Sequence, residues 1–504
     1  MKEIGKAENR YKEAIRKYTT CDVLEYFSIK SIEAYLNNQQ SYLMVNLPYR
    51  NSNGSIGTIK GFGYGQWELI QVCFNSIRFS NDYRGKKVDE PDFYHLINEN
   101  KIYDEKAENV VDMDATKLYE HLQCLTNVQF DFQTLFTKNQ FNRMYQIIMK
   151  INNNSNYAQT SKVNYINFKN IFYSITGFEI EKFIRIYFFL VIISLSRKKA
   201  NIHDIINDLQ FNVEELGFSK LDIKNIIEYQ SRNYDFYRET DNWNALKYYP
   251  IVKTNKNDNQ YIISNIFSLL LSFPYSIYWI IRNYYKDNND ASFTNYFGKC
   301  FEYYFLEILE HYKIGYQKLK ESRLQGQKTP DIRIETNSYV LLIEQKATLF
   351  PIDARITTKE KRYEKLEHYI DTTLAKAFKQ LNVYDEECKS KTVIRICLTF
   401  EKIYIEENIK RILETRMEFK TEKALNWIVN IDEMEVLMQL LAEDENKFND
   451  IIEKKIKLER EDDPNGRTIE KLLEGYKYDY VTNHINHFDN IMKDFLEKLK
   501  VGKK

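Results

Sequence analysis

Between Thr329 and Ala347 the chain sets an aspartate, a glutamate and a lysine at a spacing that can support hydrolysis. Asp331 follows Pro330, a polar turn stands at Thr336-Asn337-Ser338, and an apolar run from Tyr339 to Ile343 delivers Glu344 and Lys346 at its end. Side chains alternate along a strand, so Glu344 and Lys346 share one face and Gln345 points away. Two carboxylates can hold a divalent cation, and an ammonium beside them can orient and activate a water for attack on phosphorus. This is the layout that a metal-dependent phosphodiesterase needs.

Other elements must position these groups. Upstream, Gly298-Lys299-Cys300-Phe301-Glu302 opens a predicted helix whose apolar positions are Phe301, Tyr304, Phe305, Ile308 and Leu309. That period packs one face on a core and leaves Glu302 beside the stripe, one turn after a glycine that permits close backbone approach. Downstream, Leu374, Phe378 and Leu381 form the buried stripe of another helix, and Lys376, Gln380 and Tyr384 recur every four residues on its neighbouring face. A polar row beside a buried stripe supplies a site wall. A similar set at Pro91-Asp92 and Glu99-Asn100-Lys101 lacks the apolar strand before its glutamate, and its acids stand too close together for a strand pair.

The order Gly-x-x-x-Glu, Pro-Asp, Glu-x-Lys, Gln-x-x-x-Tyr resembles the PD-(D/E)xK nuclease superfamily, and its last element is similar to the RecB type. The matching residues are Gly298 and Glu302, Pro330 and Asp331, Glu344 and Lys346, and Gln380 and Tyr384. The resemblance covers roughly residues 290 to 430. It implies a restriction-endonuclease-like α/β core, a central mixed sheet flanked by helices. It also implies that Asp331 and Glu344 ligate Mg2+ (with Mn2+ as a substitute), that Glu302 supports the metal, and that Lys346 positions the nucleophilic water. By the same likeness Gln380 and Tyr384 contact that water or the nucleic-acid backbone. Some RecB-like relatives carry an iron-sulfur cluster on four flanking cysteines; only Cys300, Cys388 and Cys397 lie nearby here, so no cluster is expected.

Composition is compatible with this chemistry without naming it. Lys+Arg and Asp+Glu balance at 72 each, so overall charge does not announce a nucleic-acid partner. Basic residues collect locally at Arg355, Lys359, Lys361, Arg362 and Lys365, just after the candidate strand, and could track a phosphate backbone with Lys376. Glu360, Glu364 and Glu367 alternate with them, as on an ordinary charged helix surface. Hydrophobic content of 43% and an aromatic share of 15% provide ample core material and argue against disorder. The six cysteines form no Cys-x-x-Cys pair, which reads as reduced, cytosolic usage. The charged N-terminus has no signal-peptide core. Ile186–Ser196 is too short to span a membrane, and Tyr261–Ile281 reads as a buried helix pair broken at Pro274.

In outline the sequence predicts a helical N-terminal domain over 1–150 and a helical segment over 157–245. The short helices of that segment have the lengths of a winged-helix module but carry no base-reading signature. The nuclease-like domain follows over 246–442, with a strand at Val393–Phe400, another at Trp427–Ile431 and a long helix at Glu360–Tyr384. A charged helical extension occupies 443–504. The cluster Gly54, Gly57, Gly61, Gly63, Gly65 lacks the Gly-Lys-Ser/Thr ending of a phosphate loop and any preceding apolar strand, and reads as a loop. Gly85-Lys86-Lys87 fails for the same reasons. His484 and His487, three apart, read as two surface histidines without further ligands.

The expected activity is Mg2+-dependent hydrolysis of DNA in the cytoplasm, with RNA as the alternative polymer. A homodimer or partner subunit would serve double-strand cutting, and fold-level analogy suggests prokaryotic defence against foreign DNA. The contrasting reading is a catalytically silent scaffold on the same fold.

Overall fold

Short runs of branched and aromatic residues become strands, and longer runs with a period near 3.6 become helices. The structure is a computed structural model. It describes the chain except residues 1, 38–41, 51–55, 108–137, 155–163, 208–212, 241, 256–259, 320–322, 325–326, 348, 350–354, 356–358, 383–390, 403–412, 414–424, 462–468, 477–478 and 502–504. Within the described residues the protein is mixed α/β and mostly helical. In chain order the strands are β1 (Tyr42–Arg50), β2 (Ile56–Gly65), β3 (Arg232–Asn233), β4 (Ile251–Lys253), β5 (Tyr261–Ile263), β6 (Tyr316–Lys318), β7 (Arg323–Leu324), β8 (Gln327–Lys328), β9 (Ile332–Glu335), β10 (Tyr339–Lys346), β11 (Thr392–Thr399) and β12 (Leu425–Asn430).

The largest sheet has the order β12-β11-β10-β9-β6. β10 runs parallel to β11, which runs parallel to β12, while β9 is antiparallel to both β10 and β6. The polar turn after β9 closes on itself, with the Thr336 hydroxyl accepting from the Tyr339 amide at 2.9 Å. β10 is buried on both faces, as its unbroken apolar run requires. One face, carrying Val340 and Leu342, packs with Cys397 and Ile428 under Leu366, Ile370, Leu374, Phe378 and Leu381. The other face, carrying Tyr339, Leu341 and Ile343, joins the main core with Phe301, Tyr304 and Phe305 of the helix Ser292–His311.

The helix over the first face is continuous but not regular. It runs α-helical over Lys359–Tyr369, π-helical over Ile370–Leu374 and α-helical again over Ala375–Leu381. Leu366, Ile370, Leu374 and Phe378 recur every four residues. A regular helix advances roughly 100° per residue, so three such steps would carry the stripe roughly 120° off the sheet. The wider π turn absorbs that drift and keeps all four side chains in the core.

Three sequence expectations are corrected. The glycine cluster is no loop: Gly57, Gly61, Gly63 and Gly65 lie on β2, paired antiparallel with the apolar β1. A side chain at Gly65 would run into the Trp67 ring, and its amide donates to Glu68 Oε2 at 2.6 Å to start the helix Gln66–Phe79. Gly54 lies outside the described residues. The predicted break at Pro274 is likewise absent, because one helix runs from Ile266 through Asp287. Its buried Leu269, Phe273, Ile277, Tyr278 and Ile281 supply packing that outweighs the ~3 kcal/mol cost of an interior proline. The Ser272 and Ser276 hydroxyls donate to the Leu269 and Phe273 carbonyls on either side. Third, His487 is no surface residue: it is half-buried against Gln146 and Tyr145, and burial lowers its imidazole to about 4.

The short helices Ile202–Asn207 and Lys220–Gln230 stand where the sequence places them, beside the small sheet β3-β4-β5. One hydrophobic core extends from Tyr11 to Phe495 and so runs through all four sequence segments. The 443–504 segment folds back on the helix Lys138–Tyr145: Asn142 Nδ2 donates to the Val481 carbonyl at 2.9 Å, and Lys138 pairs with Asp489 at 2.6 Å. Among the described residues, no helix is long and apolar enough to cross a membrane.

Candidate active site

The hairpin β9–β10 and the helix Ser292–His311 bring the three acids to one place. Asp331 stands one residue before β9, its backbone tied on both sides: its amide donates to the Ile343 carbonyl at 3.0 Å, and its carbonyl accepts from the Leu319 amide at 3.0 Å. Its Oδ2 accepts from the Gln345 backbone amide at 2.9 Å, which aims the carboxylate across the end of β10. Glu344 and Lys346 follow Val340 and Leu342 on the alternate positions of β10, and Lys346 Nζ donates to Glu344 Oε1 at 2.6 Å. From the irregular helix Gln380 Oε1 accepts a second hydrogen bond from Lys346 Nζ at 3.1 Å. The ammonium is therefore fixed by one group from the strand and one from the helix above it.

Glu302 enters from the helix Ser292–His311, with both carboxylate oxygens taken by Lys299 Nζ at 2.8 and 2.9 Å. The carboxyl groups act on one another electrostatically. Burial first, then the Asp331 charge, raises the Glu302 carboxyl above its usual range, against the opposing pull of Lys299 and Lys318. Asp331 is raised by burial as well, in spite of the Gln345 amide and the lysines 346, 299 and 318. Glu344 is pushed up to about 8 by burial and by the charge on Asp331, with Glu302 adding to the rise. Burial alone would lower the Lys346 ammonium, but Glu344 beside it outweighs that, and the net direction is upward. Like charges gathered in a dry site hold protons tightly unless a cation replaces them.

Does this set fit a metal ion? Glu344 Oε2 is buried and has no hydrogen-bond partner, a costly arrangement for a carboxylate oxygen. Asp331 uses only Oδ2 in a hydrogen bond among the described residues. Both acids thus keep an oxygen in reserve, and hard oxygen donors are what Mg2+ or Mn2+ takes. As they stand, no three His, Cys, Asp or Glu side chains among the described residues are grouped closely enough to hold an ion. In this arrangement Lys299 holds both oxygens of Glu302 and Lys346 holds the other oxygen of Glu344. The donor types suit a hard divalent cation.

Compared with known protein families, with curated proteins and with solved structures, the chain shows no match.

Of the residues singled out from sequence, the structure brings Glu302, Asp331, Glu344, Lys346 and Gln380 together. Lys376 lies on the exposed face of the same helix as Gln380. Arg355 is no part of an exposed basic surface: it is 7% exposed, ion-paired with Glu401, and donates to the Tyr248 hydroxyl at 2.8 Å. Lys359 and Arg362 stand on the first turns of that helix, with side chains outside the described set, and Tyr384 lies outside it altogether. Gly298 makes no close approach, since a side chain there would meet open space. The Pro91-Asp92 and Glu99 set is helical and structural: Asp92 pairs with Lys86, and the buried Glu99 pairs with Arg10. Cys300 and Cys397 are buried core residues.

Sequence reasoning missed three participants. Lys299 and Lys318 oppose the acid cluster, and Gln345 carries a buried side-chain amide whose Oε1 and Nε2 both lack a partner. A lysine three residues before a glutamate on one helix face was a legible signal for Lys299. Lys318 becomes a neighbour only through the pairing of β6 with β9.

Proposed function

We propose that the protein is a metal-dependent nuclease whose active centre is Glu302, Asp331, Glu344, Lys346 and Gln380. The observation that carries this reading is three mutually interacting carboxylates beside Lys346 at the end of β10, with Glu344 Oε2 buried and unpaired. Such a buried cluster destabilises the protein that holds it, and it makes chemical sense as a cation seat.

Asp331 and Glu344 would hold the ion, with Glu302 completing or orienting the set. A bound Mg2+ would supply Lewis acidity toward a phosphodiester, countering charge that develops on phosphate oxygens. Lys346, held between Glu344 and Gln380, would orient the attacking water and favour its deprotonated form. Gln380 fixes the lysine in that position, and the Gln345 amide fixes Asp331. Lys299 balances the Glu302 charge in the metal-free protein.

The test is incubation of the purified protein with supercoiled plasmid, linear duplex, single-stranded DNA and RNA in Mg2+, Mn2+ or EDTA, beside Lys346→Ala. Metal-dependent cleavage lost in the variant is expected. Cleavage at an equal rate by Lys346→Ala, or in EDTA, overturns the reading. The substrates cleaved decide between DNA and RNA.

A further inference from the structure

Away from the acid cluster lies a cleft of about 310 Å³, within the ~300–1,000 Å³ typical of small-molecule sites. The helix Ile266–Asp287 forms its floor through Ser272, Tyr275, Ser276, Trp279 and Asn283. Tyr229, Arg232, Tyr248 and Tyr249 also line it, together with the exposed Tyr284.

Arg232 makes the site specific. Its guanidinium lies 4.6 Å from the centre of the Tyr249 ring and 5.6 Å from that of Phe236, a cation–π arrangement with two rings. Among the described residues its hydrogen bonds use Nη1 alone, to the carbonyls of Tyr229 at 3.1 Å and Ser231 at 2.7 Å. No carboxylate among the described residues pairs with it, although Asp287 lines the same cleft. A half-buried guanidinium without a counter-charge, its other nitrogens free, calls for an anion. Rings around it call for a flat heteroaromatic partner, because stacking on aromatic faces tolerates any base. Asn283 adds donor and acceptor groups at the floor, and Asp287 adds an acceptor for hydroxyl or amino groups.

We propose that this cleft binds a nucleobase together with its phosphate, presented either as a free nucleotide or as a segment of single-stranded nucleic acid. The second source has a geometric route. A smaller cleft shares Tyr248, Leu271, Tyr275 and Trp279 with the first and is lined by Leu349 and Glu401, which follow the ends of β10 and β11. The aromatic surface thus leads toward the sheet end that carries Lys346. Binding in the cleft stands or falls separately from cleavage.

The test is a titration in EDTA of the full-length protein with AMP, GMP, CMP and UMP by calorimetry, and with fluorescein-labelled five-nucleotide DNA and RNA by polarisation. We expect binding that weakens roughly tenfold or more in Arg232→Ala, the scale of a lost charge-assisted hydrogen bond. Arg232→Lys, which keeps the charge but not the stacked plane, should weaken it less. Tyr284→Ala, at the exposed rim, should also weaken it, and Asp331→Asn should retain it. Binding of a mononucleotide identifies a free effector, and binding of the oligomers alone identifies a strand path; both support the site. Absence of binding by every probe overturns the proposal, as does binding that falls in Asp331→Asn but not in folded Arg232→Lys and Tyr284→Ala.

Discussion

Two buried acid clusters in this molecule are built from the same residue types and end in opposite states. In the first, Arg143 donates to Glu435 through Nε at 2.6 Å and Nη2 at 3.0 Å, reaches Asp432 as well, and Tyr304 donates to Glu435 Oε1 at 2.6 Å. Burial alone would lower the Arg143 guanidinium, but Asp432 and Glu435 outweigh it and hold the charge firmly. In the second, three acids face lysines that reach only some of their oxygens, and Glu344 is left with a bare buried oxygen and a carboxyl pushed up to about 8. Saturated hydrogen bonding marks a joint, here between the helices Lys138–Tyr145 and Ile431–Glu443. Unsaturated bonding in the second cluster leaves a carboxylate oxygen available to a ligand, which is the basis of the proposed cation seat.

The contrast can be broken by substitution. Arg143→Ala would strand Glu435 without its cation, and we expect a loss of ~3–5 kcal/mol in urea unfolding. Asp331→Asn should do the reverse, removing a repelling charge and leaving the unfolding midpoint unchanged or higher. The same substitution should lower metal-dependent cleavage by at least about 10²-fold, the scale on which one preorganised charge affects a rate. A matching loss of stability in both variants would erase the distinction between the clusters.

Proton linkage sharpens the comparison further. With its carboxyl at about 8 in the folded protein and 4.5 as the ordinary value, Glu344 keeps a proton in the native state that the unfolded chain has lost. The metal-free protein should therefore lose stability, on the order of a few kcal/mol, as pH rises through that window, and level off above it. Added Mg2+ should stabilise the protein more at pH 8.5 than at pH 6, because it favours the charged carboxylates. Glu344→Gln should flatten the profile; a metal-free melting temperature that climbs from pH 6 to 8.5 would contradict the assignment. The smallest effect expected is that of Gln380→Ala, which frees one side of Lys346 and should slow cleavage by roughly 10- to 100-fold without moving the melting temperature.

Much of the candidate site was legible because it is local. Asp331, Glu344 and Lys346 fall within one hairpin whose apolar runs and polar turn announce strands, and β11 and β12 announce themselves in the same way. Glu302 and Gln380 stand beside apolar stripes of helical period. What escaped the sequence depends on partners far along the chain. Arg355 looks like part of a basic surface until Glu401 and Tyr248 close around it. Gly57 to Gly65 resemble a loop until β1 pairs with them, and Pro274 resembles a break until packing on its helix outweighs it. The four-residue spacing from Leu366 to Phe378 did carry a readable message, since only a widened turn can keep it on one face.

The stitching of residues 138–146 to the last segment bears on how the protein is made. Asn142 is held by the Val481 carbonyl and by the Phe488 amide at 2.7 Å, and Lys138 waits for Asp489. These contacts span more than 300 positions of sequence, so the helix Lys138–Tyr145 leaves the ribosome long before its partners are synthesised. Until translation reaches Phe488, that helix lacks the Phe488 ring against Phe141 and both partners of Asn142. Closure of the core around this helix thus waits for residues 481–489, and a product truncated before Val481 would lack the partners of Asn142 and Lys138.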